Sequence, residues 1–167
     1  RYICAHTIML ALEGIPAIYI HSLLGTHNDH DFAKQTGRAR SINRSQWDIN
    51  ELNEQLQDPS SHHMTVFNRL KKLIKIRRKQ AAFHPNATQY TLHLGTSLFA
   101  FWRESLDRHQ NVFAIHNISD KVQKIPLVEL NLIGTETWHD LLSEDVYHDL
   151  SSVIELAPYQ CAWITNK

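Results

Sequence analysis

The fold class of this 167-residue chain follows from residues 14–29, which read GIPAIYIHSLLGTHND. Gly14 is a typical residue for ending a helix. The residues 17–20 that follow are short, β-rich and apolar on both faces, a pattern typical of a strand in a parallel sheet. A long polar loop comes next, and in (β/α)-barrels such loops, at the C-terminal ends of the strands, build the active site. The segment therefore predicts a barrel strand that leads into a functional loop.

Helices are predicted on both sides of this strand. An apolar helix precedes Gly14, beginning within the first residues of the chain. Asp58 followed by Pro59 is typical of an N-cap and a first helical position, so we expect a second helix from there to about Lys79. Its apolar face consists of Phe67, Leu70 and Ile74. Helix, strand, long loop and helix are what the end of a (β/α)8 barrel contains.

The second half of the chain alternates apolar and polar residues as an antiparallel sheet does. Short strands are predicted around residues 90–94, 98–102, 112–115, 153–154 and 159–163. Turn residues such as Gly95-Thr96 separate them, which is typical of a small β-sandwich. The segment Phe83-His84-Pro85-Asn86 marks a plausible linker, and the net charge changes there from +5 to −5. The sequence thus predicts α/β plus β: residues 1–86 as the last strand and helix of a TIM barrel, and residues 87–167 as a C-terminal antiparallel β-sandwich.

Composition excludes several classes of protein. Seventeen basic and seventeen acidic residues give zero net charge, which excludes a broadly basic nucleic-acid coat. The longest apolar run, Ile15 to Ile20, is far below the roughly 20 residues of a membrane span. Cys4 and Cys161 are the only cysteines, so we expect no disulfide framework and a reduced, cytoplasmic location. The chain begins in helical rhythm without an initiator Met, and we expect it to be part of a longer protein.

Three arginines stand close together in the predicted functional loop. Arg38, Arg40 and Arg44 fall within seven residues of TGRARSINR. Guanidinium groups match phosphate and carboxylate oxygens in pairs, so an arginine cluster on a catalytic-face loop is a candidate anion site. A solvated arginine-rich loop, or pairing with Asp29, Asp31 or Asp48, is the alternative.

The two motifs together resemble the sucrose phosphorylases and the related glucosylglycerate-type phosphorylases of the α-amylase superfamily. In that family a GxPxxY strand is the last strand of the barrel, and a Gly-Arg…Ile-Asn-Arg segment follows in the long loop after it. The segments Ala82–Pro85, Trp138–Leu142 and Leu156–Tyr159 also resemble the family's barrel exit and C-terminal β-domain. The resemblance covers nearly the whole chain, and HSLLG…GRxRSINR is its more specific part.

The resemblance implies a retaining phosphorylase, a glycosyltransferase of carbohydrate metabolism that yields α-glucose 1-phosphate from an α-glucoside and inorganic phosphate. The family's nucleophile Asp, its acid/base Glu and its sugar-binding His-Asp pair match no residue of this chain, so the chain alone is expected to be inactive. By position, Arg44 is the first phosphate or acceptor ligand and Arg38 the second. The acceptor-subsite loop comprises His21, Leu24, His27, Asn28 and Asp29. The implied partners are the sugar substrate, inorganic phosphate, the N-terminal portion of the barrel and a second copy in a homodimer, without a cofactor, nucleic acid or membrane.

One departure from the family points to the acceptor. Sucrose phosphorylases show Gly-Arg-Asp-Ile-Asn-Arg, whereas this chain has Ala39-Arg40-Ser41 in place of that Asp. The pattern is closer to the glucosylglycerate-type branch, and Arg40 suits an anionic acceptor such as glycerate or a phosphorylated sugar. Trp47, in the same loop, is a further candidate for lying near substrate.

Other interpretations stay open. A hydrolytic relative of α-amylase and a non-catalytic carbohydrate-binding or assembly module are the two alternatives. The cluster His21, His27, His30, Asp29 and Asp31 resembles a metal site, but only His27 and His30 have a typical ligand spacing, so no metal is predicted. The basic residues 71–79 are interpreted as the solvated face of a helix rather than a nucleic-acid surface.

Overall fold

The structure, a computed structural model, describes residues 1–130, 132–134 and 137–167. Two compact units make up these residues. The β unit consists of Arg1–Pro16 and Leu73–Lys167, and the loop unit consists of Ala17–Lys72. The helices are α1 Tyr2–Ala11, α2 Ile20–Leu23, α3 His30–Thr36, α4 Ile49–Gln57 and α5 His62–Arg77, with short 3-10 helices at Ala39–Asn43, Ala81–Phe83 and Leu127–Leu130.

Antiparallel strands form most of the β unit. They are β1 Thr88–Leu92, β2 Leu98–Glu104, β3 Asn111–Asn117, β4 Gln123–Pro126, β5 Trp138–Asp140, β6 Val146–Tyr147, β7 Val153–Leu156 and β8 Cys161–Thr165. In the described residues six of them form one sheet in the order β1-β2-β3-β8-β5-β6, while β4 pairs with β7. The predicted antiparallel β-domain is confirmed, and each of the five predicted segments overlaps a strand.

The core of the β unit lies between the two sheets. Alternation along β3 and β8 directs one set of side chains to this core, because successive residues of a strand point to opposite faces. The core cluster contains Ala100, Phe113, Ile115, Ile125, Leu127, Leu130, Trp138, Ile154, Leu156, Ala162 and Ile164. Trp163, on the other face of β8, is also fully buried and makes an edge contact with Phe83. Both tryptophans therefore pack in the interior.

The predicted first helix is present as α1, and it packs with the β unit. Cys4, Thr7, Leu10 and Ala11 are its buried residues, at the spacing of one helical face. The Cys4 thiol lies 3.7 Å from the carbonyl oxygen of Asn117 on β3. Both cysteines are free thiols, and burial raises the pKa of the Cys161 thiol.

The predicted strand at residues 17–20 is not formed. Tyr19 has extended backbone angles, but residues 15–19 pair with no strand in the described part of the chain, and Ile20 begins α2. A parallel strand gives all its backbone hydrogen bonds to neighbouring strands, so the segment has no ladder to join. The barrel itself is therefore not confirmed, and the domain boundary between residues 86 and 87 stays a prediction.

The N-cap prediction for the second long helix was also wrong. Asp58 ends α4, and hydrogen bonds from the backbone N–H and the hydroxyl of Ser60 lower the pKa of its carboxyl. Helix α5 begins at His62, where the Ser61 hydroxyl accepts the backbone N–H of His63 at 3.1 Å. Asp58 and Ser61 are both favoured cap residues, and the tight Asp58–Ser60 turn places Ser61 at the helix start.

Among the described residues, every helix is too short or too polar to span a membrane.

The guanidinium of Arg103 on β2 is fully buried in the β unit. It donates to the carbonyl oxygens of Ala11, His84, Ala87 and Thr88 at 2.8–3.3 Å. Burial lowers its pKa to about 10, so the group remains charged at neutral pH. One side chain thus connects the end of α1, the linker and the first strands.

Replacing Arg103 by Met is expected to lower the free energy of unfolding by about 3–5 kcal/mol, because four carbonyl groups, two of them in buried hydrogen bonds, lose their donor. Chemical denaturation of the chain measures this. The matched control is Arg78→Met, an exposed arginine, which is expected to change stability by less than about 0.5 kcal/mol. A loss below about 1 kcal/mol for Arg103→Met would show that these hydrogen bonds contribute little.

His116 on β3 makes stability depend on pH. Burial lowers its pKa from 6.5 to about 4, although the Nδ1–H donates to the carbonyl oxygen of Phe99 at 2.9 Å. Between these values the unfolded chain binds a proton that the folded chain does not, so stability falls as the pH drops from about 6.5 to about 4. The loss attributable to His116 is about 3 kcal/mol. We expect His116→Gln to remove this part of the slope in denaturation measured at pH 7 and pH 4.5; equal slopes in the two proteins would contradict the assignment.

Candidate functional site

The polar loop after residue 20 is held by hydrogen bonds within the loop unit. The Tyr19 hydroxyl donates to the carbonyl oxygen of Asn43 at 3.1 Å, and the Asp29 backbone N–H donates to that of Ile42 at 2.6 Å. These bonds join Tyr19 and Asp29 to the 3-10 helix Ala39–Asn43. Tyr19, the last residue of the GIPAIY motif, and the segment with Ile42 and Asn43 are therefore neighbours in space.

All three predicted arginines line one cavity of about 470 Å³, called here the arginine cavity. Its lining residues are Phe32, Thr36, Arg38, Arg40, Ser41, Arg44 and Gln46. The Thr36 hydroxyl donates to the Ser41 hydroxyl at 2.9 Å, which connects the end of α3 to the 3-10 helix that carries Arg40. The cavity thus combines three guanidinium groups with hydroxyl and amide donors.

In the described residues, no carboxylate pairs with these arginines. Asp29 accepts the Phe32 backbone N–H and caps α3, while Asp48 accepts the backbone N–H groups of Asn50 and Glu51 and caps α4. Asp31 lies 3.7 Å from Lys34. The acidic residues that the sequence offered as partners are therefore engaged elsewhere. Three uncompensated cations around one cavity produce a positive potential that attracts anions.

A second cavity of about 470 Å³, called here the loop cavity, lies in the same unit. It is lined by Thr26, His27, Asn28, Asp29, His30, Asp31, Ser45, Gln46, Trp47, Glu51 and His63. Three of the predicted acceptor-loop residues, His27, Asn28 and Asp29, are among these, and so is Trp47. Gln46 lines both cavities and marks where they adjoin.

The other two predicted acceptor residues have different surroundings. His21 contacts the Thr26 hydroxyl through Nδ1 at 3.2 Å, and it does not line the loop cavity. The Leu24 side chain is buried, and its carbonyl oxygen accepts a hydrogen bond from His63 Nδ1 at 2.7 Å. Both residues thus stabilise the loop by hydrogen bonds, and neither lines the cavity.

Among the residues that line the loop cavity, sequence reasoning missed Ser45, Gln46, Glu51 and His63. Ser45 and Gln46 directly precede Trp47, a candidate because of its place in the arginine loop, so proximity in sequence to Trp47 was an available signal. His63 gave no such signal, because it lies at the start of a helix far along the sequence. Among the described residues no group of three His, Cys, Asp or Glu side chains is arranged to hold a metal ion.

Comparison with solved structures shows which known proteins share this fold. The chain aligns over 99% of its length with the AmyP–maltose complex, at a TM-score of 0.76, 13% identity and 34% coverage of that chain. It aligns equally fully with trehalose-6-phosphate hydrolase of Bacillus licheniformis, at a TM-score of 0.69 and 19% identity, covering 38% of that chain. These neighbours are α-amylase-family enzymes, and at such identities the likeness concerns the fold alone.

Sequence comparison identifies the relatives within that class. The chain is 35% identical to glucosylglycerate phosphorylase of Allomeiothermus silvanus over 166 residues, 99% of the chain and 27% of the relative. It is 33% identical to the Escherichia coli K12 enzyme of the same name, with 98% and 28% coverage. Sucrose phosphorylase of Bifidobacterium adolescentis is 31% identical over 103 residues, 62% of the chain and 19% of that enzyme. No family model matches the chain.

The chain is therefore homologous to the C-terminal part of the glucosylglycerate and sucrose phosphorylases, as its motifs predicted. It spans about a quarter of the length of the curated relatives that it matches over nearly its whole length.

Proposed function

We propose that this chain is the C-terminal portion of a retaining glucoside phosphorylase, which converts an α-glucoside and inorganic phosphate to α-glucose 1-phosphate. Homology to glucosylglycerate phosphorylases over 96–99% of the chain supports the reaction class. In retaining chemistry one carboxylate forms a glucosyl-enzyme and a second group protonates the leaving oxygen. By the family resemblance those two groups match no residue of this chain. We therefore expect this chain to bind the groups that enter or leave, namely phosphate and the acceptor.

The arginine cavity is the single observation that carries this proposal. A phosphorylase must hold a dianion where a hydrolase admits water, and charge-assisted hydrogen bonds from guanidinium groups are strong and directional. Arg38 and Arg44 are assigned to phosphate. Arg40, which the family resemblance marks as a departure, is assigned to an anionic group of the acceptor.

An Arg40→Ala variant of the complete enzyme tests the role of Arg40. If the variant keeps the acceptor preference of the unsubstituted enzyme, the assignment of Arg40 to the acceptor is wrong.

The loop cavity is assigned to the acceptor. His27, Asn28 and Asp29 offer donors and acceptors for hydroxyl groups, and the Trp47 ring offers an apolar face of the kind that small-molecule sites combine with a few polar groups. His21 and Leu24 stabilise this wall by hydrogen bonds without lining the cavity. Since the two cavities adjoin at Gln46, one ligand can present an anionic group to one and hydroxyls to the other.

Unpaired arginines weigh against the hydrolase alternative, because water as the acceptor needs no anion site. The carbohydrate-binding alternative has one observation in its favour. The Tyr90 ring, 45% exposed, stacks on Trp102 with centroids 4.7 Å apart, beside a cavity of about 370 Å³ in the β unit. Binding of a soluble glucan to the chain, abolished by Tyr90→Ala, would support that function. The cytoplasmic location and the homodimer stay predictions.

A chimaera tests the proposed function. Residues 1–167 replace the homologous segment of the A. silvanus glucosylglycerate phosphorylase, and glucose 1-phosphate is measured as a function of phosphate concentration. We expect an active chimaera in which Arg44→Gln raises KM for phosphate at least about tenfold, because a charge-assisted hydrogen bond is lost. The 167-residue chain alone is expected to form no glucose 1-phosphate.

The matched control is Arg69→Gln, an exposed arginine of the same unit on α5, which should leave KM unchanged. An Arg44→Gln chimaera with the KM of the unsubstituted chimaera would contradict the anion site. Formation of glucose 1-phosphate by the chain alone would contradict its role as a non-catalytic portion.

A further inference from the structure

We propose that His63, assisted by His62, is a positioning residue that fixes the wall of the loop cavity and thereby determines which acceptor fits. This inference rests on the proposed function, in which the loop cavity receives the acceptor. It concerns the first turn of α5, which neither the family motifs nor the sequence pattern single out. Two adjacent histidines there contact two adjacent carbonyl groups of the loop.

The first contact is a pair of hydrogen bonds to the turn from which the cavity wall departs. His63 Nδ1 lies 2.7 Å from the carbonyl oxygen of Leu24, and His62 Nε2 lies 2.8 Å from that of Gly25. A carbonyl oxygen only accepts, so both ring nitrogens donate. The turn is therefore held at two successive peptide groups.

Close packing explains why the turn lies directly on the helix. Gly25 has a φ of +64°, and a Cβ built there would stand 3.1 Å from the Val66 side chain, one turn further along α5. A side chain at residue 25 would move the turn away from the helix and lengthen both histidine hydrogen bonds. The absence of a Cβ thus permits the two bonds to form.

The second contact joins the histidines to side chains that line the cavity. The edge of the Trp47 ring meets the His63 ring with centroids 4.9 Å apart, and Trp47 Nε1–H donates to the Thr26 hydroxyl at 3.0 Å. The His27 ring lies 4.6 Å from the His62 ring. Two residues of the wall, Trp47 and His27, thus each contact one ring of the histidine pair.

Helix formation does not require the His63 ring. The cap interaction at the start of α5 uses the backbone N–H of His63 and the Ser61 hydroxyl, so it persists when the ring is replaced. The ring is nonetheless buried and lines the loop cavity. A buried imidazole that bonds the Leu24 carbonyl and contacts the ring of the wall residue Trp47 is suited to setting the cavity's shape.

Two substitutions of His63 separate its contributions. Phe keeps an aromatic ring against Trp47 but removes the donor to Leu24, whereas Asn keeps a donor near the position of Nδ1. The measurement is amide and indole hydrogen exchange by NMR on the ¹⁵N-labelled 167-residue chain. We expect His63→Phe to speed exchange of the Trp47 indole N–H and of the residue 26–29 amides about tenfold, and His63→Asn to restore much of the protection. His93→Phe, an exposed histidine of the β unit, is the control.

Ligand titrations on the same samples distinguish positioning from general support. Using D-glycerate and inorganic phosphate as probes, we expect His63→Phe to weaken D-glycerate about tenfold, since the loss of one hydrogen bond loosens the wall, while phosphate affinity is unchanged. Unchanged exchange in His63→Phe, or an equal loss for both probes, would overturn the inference. If the unsubstituted chain bound neither probe, the proposed function would lose its support, and the exchange data would still decide whether His63 holds the loop.

Discussion

The β unit depends on one buried charge, the guanidinium of Arg103. Helix α1 has no basic residue in its last turn, and its final carbonyl groups have no partner within the helix. Arg103 supplies one donor to Ala11, and Arg77 supplies others to Leu10 and Gly14. Because Arg103 also bonds the carbonyls of residues 84, 87 and 88, it fixes the helix, the linker and the sheet together. A buried guanidinium without such acceptors would be strongly destabilising.

The arginines of the arginine cavity differ from Arg103, whose charge is used to bond carbonyl groups of the protein itself. Asp29 and Asp48 cap helices and Asp31 pairs with Lys34. In the described part of the chain this leaves Arg38, Arg40 and Arg44 without acidic partners. Their charge is then available to a ligand. The same cap interactions shape the loop cavity, since Asp29 both begins α3 and lines that cavity. Local helix capping therefore determines where the cations of the loop unit remain uncompensated.

Features that depend on local pattern could be predicted from the sequence. The strands of the β unit and the apolar helix before Gly14 follow from periodicity, and the convergence of three arginines follows from their spacing. Features that depend on partners distant in sequence could not. The predicted strand at 17–20 needs neighbouring strands, and Ser61 replaces Asp58 as the cap because a tight turn intervenes. His63 enters the site through contacts with Leu24 and Trp47, and no sequence rule connects it to residues so far away.

NMR of the arginine side chains during a phosphate titration decides whether this chain carries a specific anion site. Nε–H resonances of the 167-residue chain would be followed at constant ionic strength, with chloride as the reference anion. We expect saturable shifts for Arg38 and Arg44, with none for the exposed Arg69 and Arg78. Small, unsaturated shifts of equal size at all four arginines would mean that phosphate only screens surface charge and that the arginine cavity is not a specific anion site.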